Sequence, residues 1–375
     1  MNGPLAGLRV VEFSGLGPAP LAGQLLADLG ADVVAVDRKR GRADPTDVNR
    51  RGKRSIALDL RKPDAVDAAM KLIARADVLI EGFRPGVMGR LGLGPAPCQA
   101  ANPRLVYGRM TGWGQTGPLA PVAGHDLNYV GLTGALHAMG RAGQPPTPPL
   151  NLVADYGGGT MFLLLGILAA LYERQRSGRG QVVDAAMVDG VPAMMGLIHG
   201  MLGQGRWQRA RDANLLDGGA PCYRCYACAD GKFLSVGPLE PAFFAQMLER
   251  AGLPADDTLR QMDRSQWPAM HAAYEAVFAQ RTRDAWVAVF DGSDACVHPV
   301  LDWDEAPRHP HLAARGSLVQ VGEVWQAAPA PRFDRTPAAM PAAPGAPGAD
   351  GEGVLRECGV DDAAIDALRS AGALL

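Results

Sequence analysis

Residues 8–37, LRVVEFSGLGPAPLAGQLLADLGADVVAVD, decide the fold. The run at 8–13 is short, apolar and rich in valine, which reads as a strand. A Gly/Pro turn follows, then a helix over 20–29 with apolar side chains at Leu21, Leu25, Leu26 and Leu29. Gly30 stands where a helix end favours a residue of positive φ, and 31–36 (ADVVAV) reads as the next strand. Further on, 65–74 reads as a second helix, with strands at 78–80 and 105–107. Strands and helices alternating over short links imply parallel strands with right-handed crossovers, so the fold class is α/β with an open sheet.

Residues 112–149 are rich in Gly and Pro and read as loop; a long apolar helix then runs from Gly157 to about 176, and 181–187 (QVVDAAM) is a strand. After 220 the texture changes. Strands at 223–227 and 232–236 around Asp230-Gly231 form a hairpin, and helices are expected over 241–251, 267–280 and 282–290. Residues 327–349 are Pro/Ala-rich and read as extended rather than packed, and a short helix over 361–370 closes the chain. The expected organisation is a large domain over 1–190, a linker over 191–222, a smaller α+β domain over 223–320, and a return segment over 321–375 that completes the large domain.

Composition excludes several classes. The chain has 375 residues, 47% of them hydrophobic and 20% charged, which argues against disorder. Its 37 basic and 39 acidic side chains exclude a uniformly basic nucleic-acid binder. The longest uninterrupted apolar run, 161–172, is short for a membrane span of about 18 residues, so no membrane partner is expected. The first residues show no secretory pattern, and six cysteines in so long a chain are no disulfide framework, so the expected location is cytoplasmic.

Three motifs invite functional readings. Gly15-Leu16-Gly17-Pro18-Ala19-Pro20 followed by Asp37 approaches a dinucleotide fingerprint, but Pro20 replaces the third glycine and Arg38 follows the acid. A tight strand-to-helix turn is the preferred reading. Gly112-Trp113-Gly114-Gln115-Thr116-Gly117 fits the same pattern literally, yet Pro118 and Pro121 stand where its helix should begin. Cys222, Cys225 and Cys228 have metal-like spacing, but on a strand Cys225 faces away from the other two and no fourth ligand is near in sequence; no metal is expected. Residues 38–62 carry ten basic and three acidic side chains. The plain reading is a solvated face; the sharper one is a site for a phosphorylated small ligand, because the run follows strands whose carboxyl ends bind ligands in such sheets.

His125 and Asp155 are the candidate proton carriers. Asp155 adjoins Gly157, Gly158 and Gly159 at the opening of a helix, where free backbone amides would favour negative charge. His125 lies in a Gly/Pro loop too long for a simple connector. A histidine and a carboxylate facing each other across a substrate could each give or take one proton.

These segments make the chain recognisable. With EGFRPGVMGRLGLG, YGRMTGWGQTGP, GHDLNY, NLVADYGGG, GQVVDAAMVDG and DGKFLSVGPLEP, it resembles the family III CoA-transferase superfamily, and within it the acyl-CoA racemases. The resemblance implies that His125 and Asp155 form the acid/base pair, with Glu240 orienting the histidine. It implies CoA contacts at Arg38, Leu58, Asp59, Leu60, Arg61, Gly82, Phe83, Arg84, Arg90, Gly124, Asp126, Leu127, Asn128 and Tyr129. It also implies a Rossmann-like large domain, a smaller α+β domain, an interlocked homodimer, and no cofactor beyond the CoA moiety of an acyl-CoA substrate. The implied reaction interconverts (R)- and (S)-2-methylacyl-CoA through an enolate; the alternative is CoA transfer between carboxylic acids with Asp155 as nucleophile.

Overall fold

The computed structural model describes residues 3–13 and 15–375. The chain divides into two compact units, one of 1–133, 150–194 and 310–375, the other of 134–149 and 195–309.

In the first unit, β1 (Arg9–Phe13) passes through a turn into α1 (Pro18–Asp28). Gly17 takes φ 74°, and Pro18 and Pro20 occupy the first helical turn, where a missing N–H costs no helical bond. The helix therefore starts two residues earlier than its apolar spacing suggests. There follow β2 (Asp32–Asp37), β3 (Arg54–Ala57), α2 (Pro63–Ile73), β4 (Val78–Glu81), α3 (Val87–Arg90), α4 (Pro95–Ala101) and β5 (Val106–Thr111). Next come α5 (Asp126–Leu132), a π-helix (Leu152–Met161) continuing as α6 (Phe162–Ser177), β6 (Val182–Ala186) and α7 (Met187–Met194). The six strands pair in parallel in the order β3-β2-β1-β4-β5-β6, so the chain reverses direction across the sheet between β1 and β4. Gly108 of β5 lets Leu163 and Ile167 approach closely: a Cβ there would stand 3.0 and 3.3 Å from their methyls.

Three expectations need correction. The 112–149 loop contains α5. The helix over 152–177 is continuous, and its 26 residues are long and apolar enough by length and composition to cross a membrane. Here, however, Leu163, Ile167 and Ala170 are buried, and Arg174 pairs with Asp77. Finally, the Pro/Ala-rich segment is extended but docked: Gly52 N–H donates to Ala342 O (2.9 Å) and Gly348 N–H to Ser55 Oγ (2.6 Å).

The second unit holds α8 (Gly196–Gly203), the antiparallel strands β7 (Arg224–Ala227) and β8 (Phe233–Val236), α9 (Pro241–Ala251), α10 (Trp267–Phe278), α11 (Arg283–Phe290) and β9 (Val297–Val300). β9 pairs with β8 and was not legible, since Pro299 interrupts a four-residue run. Tyr226, Phe244, Tyr274, Phe278 and Trp286 fill the core. Cys222 and Cys228 are buried and Cys225 is exposed, as strand alternation requires. The chain returns to the first unit through α12 (Pro310–Arg315), the hairpin of β10 (Leu318–Val321) and β11 (Val324–Ala327), α13 (Gly351–Glu357) and α14 (Asp362–Ser370). Val354, Leu355, Ile365 and Leu374 from these last turns join the core of the sheet.

Candidate active site

Tyr129 anchors the corner that carries His125. Its ring stands edge-on to Trp113 at 4.7 Å between centroids, and its hydroxyl donates to Gly124 O. Any Cβ on Gly112 or Gly124 would collide with that ring, at 1.9 and 2.7 Å, so glycine is required at both places. This packing fixes the entry to α5. His125 caps the helix, its backbone N–H donating to Asn128 Oδ1 at 3.0 Å, and its side chain is exposed.

Asp126, the first residue of α5, turns inward. Its Oδ2 accepts from the N–H groups of Ala154 and Asp155, both at 2.8 Å. That contact ties α5 to the π-helix bearing Asp155. A run of ten π-helical residues is unusual, since such geometry mostly occurs as single turns. The triple glycine serves packing. A Cβ on Gly158 would stand 2.9 Å from Val191 Cγ2, and one on Gly190 would stand 1.9 Å from Gly158 O. The glycines thus let α7 press against the π-helix, while the amides of Ala154 and Asp155 are already engaged. The expectation that amides at this helix start would favour negative charge is met by the Asp126 carboxylate, which engages two of them.

Asp155 is half-buried. Burial is the main cause that raises its pKa, Asp126 raises it further, and a hydrogen bond from Asn151 and the charge of His125 work the other way. His125 and Asp155 are therefore within electrostatic reach of each other. A Cβ on Gly17 would stand 3.6 Å from Asp155 Oδ2, which places the β1–α1 turn beside the carboxylate. Asn151, one helical turn before Asp155, is a site residue that the sequence reading missed; its spacing was the available signal.

A cavity of about 630 Å³ opens at the carboxyl ends of the strands. Arg38, Leu58, Asp59, Leu60, Arg61, Phe83 and Arg84 line it, together with Asp37 and with Phe13, Val36, Val87 and Leu91, which sequence reasoning did not single out. The Arg38 guanidinium lies over the Phe83 ring, 5.7 Å from its centroid. Glu81 shapes the next turn, accepting from Phe83 N–H (2.9 Å) and Arg109 Nε (3.1 Å). Gly82 and Arg90 are exposed near this rim of the chain, and Leu127 and Asn128 are exposed on α5. Glu240 belongs to the second unit, where it caps α9 with an exposed side chain.

The basic run is sorted by its partners. Arg50 grips Asp37 with two hydrogen bonds (3.0 and 2.7 Å), Arg51 pairs with Asp28, Lys53 with Glu12, and Arg54 with Asp32 and Glu357. Arg61 folds back onto Asp59. Lys62 donates to Ala371 O, so among the described residues Arg38, Lys39, Arg40 and Arg42 are left as the exposed basic group without an ion pair, available for a phosphorylated ligand. Asp37, held by Arg50 and by Ser55 Oγ, is not free to bind a ribose, which agrees with the turn reading of the 15–20 motif.

The chain has a Rossmann-ordered sheet, a basic-rimmed cavity at its strand ends, and a histidine and a half-buried carboxylate at the corner of α5 and the π-helix; it belongs to CoA-transferase family III, whose pattern it matches over residues 5–351. It is 46% identical over 368 residues to alpha-methylacyl-CoA racemase of Mus musculus, spanning 98% of this chain and 96% of that one. It is 45% identical over 335 residues to the enzyme of the same name from Homo sapiens, spanning 89% and 87%. Its fold is similar to the crystal structure of a CAIB/BAIF family protein from Brucella suis, with TM-score 0.81 and 26% identity over 96% of this chain and 100% of that one.

Proposed function

We infer that the protein is an isomerase that interconverts (R)- and (S)-2-methylacyl-CoA thioesters by 1,1-proton transfer. The observation that carries this reading is a half-buried Asp155 whose proton affinity burial raises and on which His125 acts electrostatically, in a chain close to two racemases. The thioester carbonyl acidifies the C2–H bond. His125 takes the proton from one face, and Asp155, protonated at that moment, supplies one to the other; the reverse direction exchanges the roles. With the amides of Ala154 and Asp155 engaged, the N–H groups of Asp126 and Leu127, which open α5, are the donors assigned to the enolate oxygen.

The CoA moiety is assigned to the cavity at the strand ends, with its phosphates against Arg38 and the adenine region near Leu58–Arg61 and Phe83. Binding energy from this remote half holds C2 between the two proton carriers. No cofactor beyond CoA is required. Glu240 is assigned a supporting part in the acid/base chemistry on the strength of the resemblance.

The homodimer is supported by an apolar strip. Leu152, Met161, Leu165, Leu168 and Tyr172 of the continuous helix are exposed, as is Val182 on edge strand β6. A second copy of the chain is the assigned cover for that strip.

The test is chiral analysis of each pure epimer of a 2-methylacyl-CoA after incubation with the protein and no acceptor acid. Each is expected to approach a near-equal mixture. Retained configuration, with CoA passing to an added free acid, would assign the chain to the transferase chemistry of its family.

A further inference from the structure

Among the described residues, the first unit buries five carboxylates, and four of them have a cation. Glu12 is matched by Lys53 (2.6 Å), Asp28 by Arg51 (2.5 Å), Asp37 by Arg50 (2.7 Å) and Glu81 by Arg109 (3.1 Å). Asp126 is the exception. It is 6% exposed, makes no ion pair among the described residues, and is held only by two backbone N–H groups through Oδ2. Its Oδ1 is buried with no hydrogen-bond partner among the described residues. A buried acceptor left this way costs stability, so its retention calls for a reason.

We propose that Asp126 is a positioning residue, not a CoA contact: one oxygen fixes the first turn of the π-helix, and the uncompensated charge of the group makes Asp155 hold its proton until substrate arrives. The inference rests on the reading of Asp155 as proton donor. The surroundings of Asp155 leave few other sources for the effect. From α5 come His125, Asp126 and Tyr129, whose phenol is itself raised by burial and then by Asp155; Arg84 acts on that phenol. The π-helix contributes Asn151. The elements packed against the π-helix present Gly17 to the Asp155 carboxylate and the uncharged Met110, Met187, Gly190 and Val191 to Gly158 and Gly159. Arg109 is committed to Glu81, and Asp184 answers to Arg109 and Asp189. Asp126 is thus the one neighbour named that favours the neutral carboxyl by charge.

Asp126→Asn separates the two roles, because an amide oxygen still accepts both N–H bonds while the charge is gone. The pH dependence of kcat/KM is measured in both directions for wild type, Asp126→Asn, Asp126→Ser and Asp126→Glu. In the Asn and Ser variants the ionisation assigned to Asp155 is expected to move to lower pH. Near neutrality kcat/KM should fall about tenfold, by the same factor in both directions, since the enzyme cannot alter the equilibrium between epimers. KM should change less than twofold by comparison, and Asp126→Glu, which keeps the charge, should restore much of the rate. An unmoved ionisation, or a rise in KM alone, would overturn the proposal and return Asp126 to the CoA contacts. The same titration of Asp155, followed by carboxyl carbon NMR with Asp155→Asn as the assignment control, needs no turnover. It therefore decides the Asp126 inference even if the wild type proves not to racemise.

Discussion

The flank of the sheet formed by β1, β2 and β3 and the corner formed by α5 and the π-helix treat buried acid in opposite ways. On the flank, Glu12, Asp28 and Asp37 each meet a cation from the 50–53 segment. At the corner, Asp126 accepts the backbone N–H of Asp155, and among the described residues neither acid has an ion pair; neutral donors and the charge of His125 balance them. Matched pairs fix a backbone. An unmatched buried acid costs stability, and at Asp155 burial and the neighbouring Asp126 raise the proton affinity. The basic run at 38–62 thus serves mainly the scaffold, and chemistry is concentrated where charge is left unbalanced.

The largest effect is expected at the corner: His125→Ala and Asp155→Asn should each lower the racemisation rate about a thousandfold, while binding of a CoA thioester, read by calorimetry, persists. On the flank, Arg51→Met strands the buried Asp28 and should cost about 3–5 kcal/mol of stability, seen in denaturant unfolding, with activity retained in the folded fraction. Adding Asp28→Leu should recover most of that loss. At the exposed end of the basic run, Arg38→Ala should raise KM about tenfold with kcat little changed, because a charge-assisted contact to phosphate is worth about 1.5–3 kcal/mol.

The smallest effect is thermodynamic and its sign follows from linkage. The folded pKa of Asp155 is raised, so the unfolded chain ionises first as pH rises, and the fold loses stability between the ordinary aspartate pKa and the raised one. Asp155→Asn removes that loss. Its Tm should exceed that of the wild type at neutral pH and converge with it at pH below the ordinary aspartate range.

The sheet was legible because its signals are local. Apolar runs, helix spacing and Gly30 lie within one strand–helix–strand stretch, and only the ends shifted, as with the two prolines of α1. The partners of the basic run were not legible, because Arg50, Arg51, Lys53 and Arg54 reach back 13 to 41 residues to acids on earlier elements. α5 was hidden among the glycines and prolines that hold Tyr129 in place. The triple glycine suggested an anion site, and only tertiary packing reveals that it serves close contact with α7. His125 and Asp155 stood out through resemblance more than through any local property, since their reach across 30 residues belongs to the fold.

The most direct test of two proton carriers on opposite faces is solvent deuterium exchange at C2, measured separately from each epimer with wild type, His125→Ala and Asp155→Asn. The wild type should label both epimers. Each variant should keep residual exchange from a different single epimer, without inversion, because the remaining group still works its own face. Exchange lost from both epimers in one variant and untouched in the other would contradict the account, since a single group would then serve both faces.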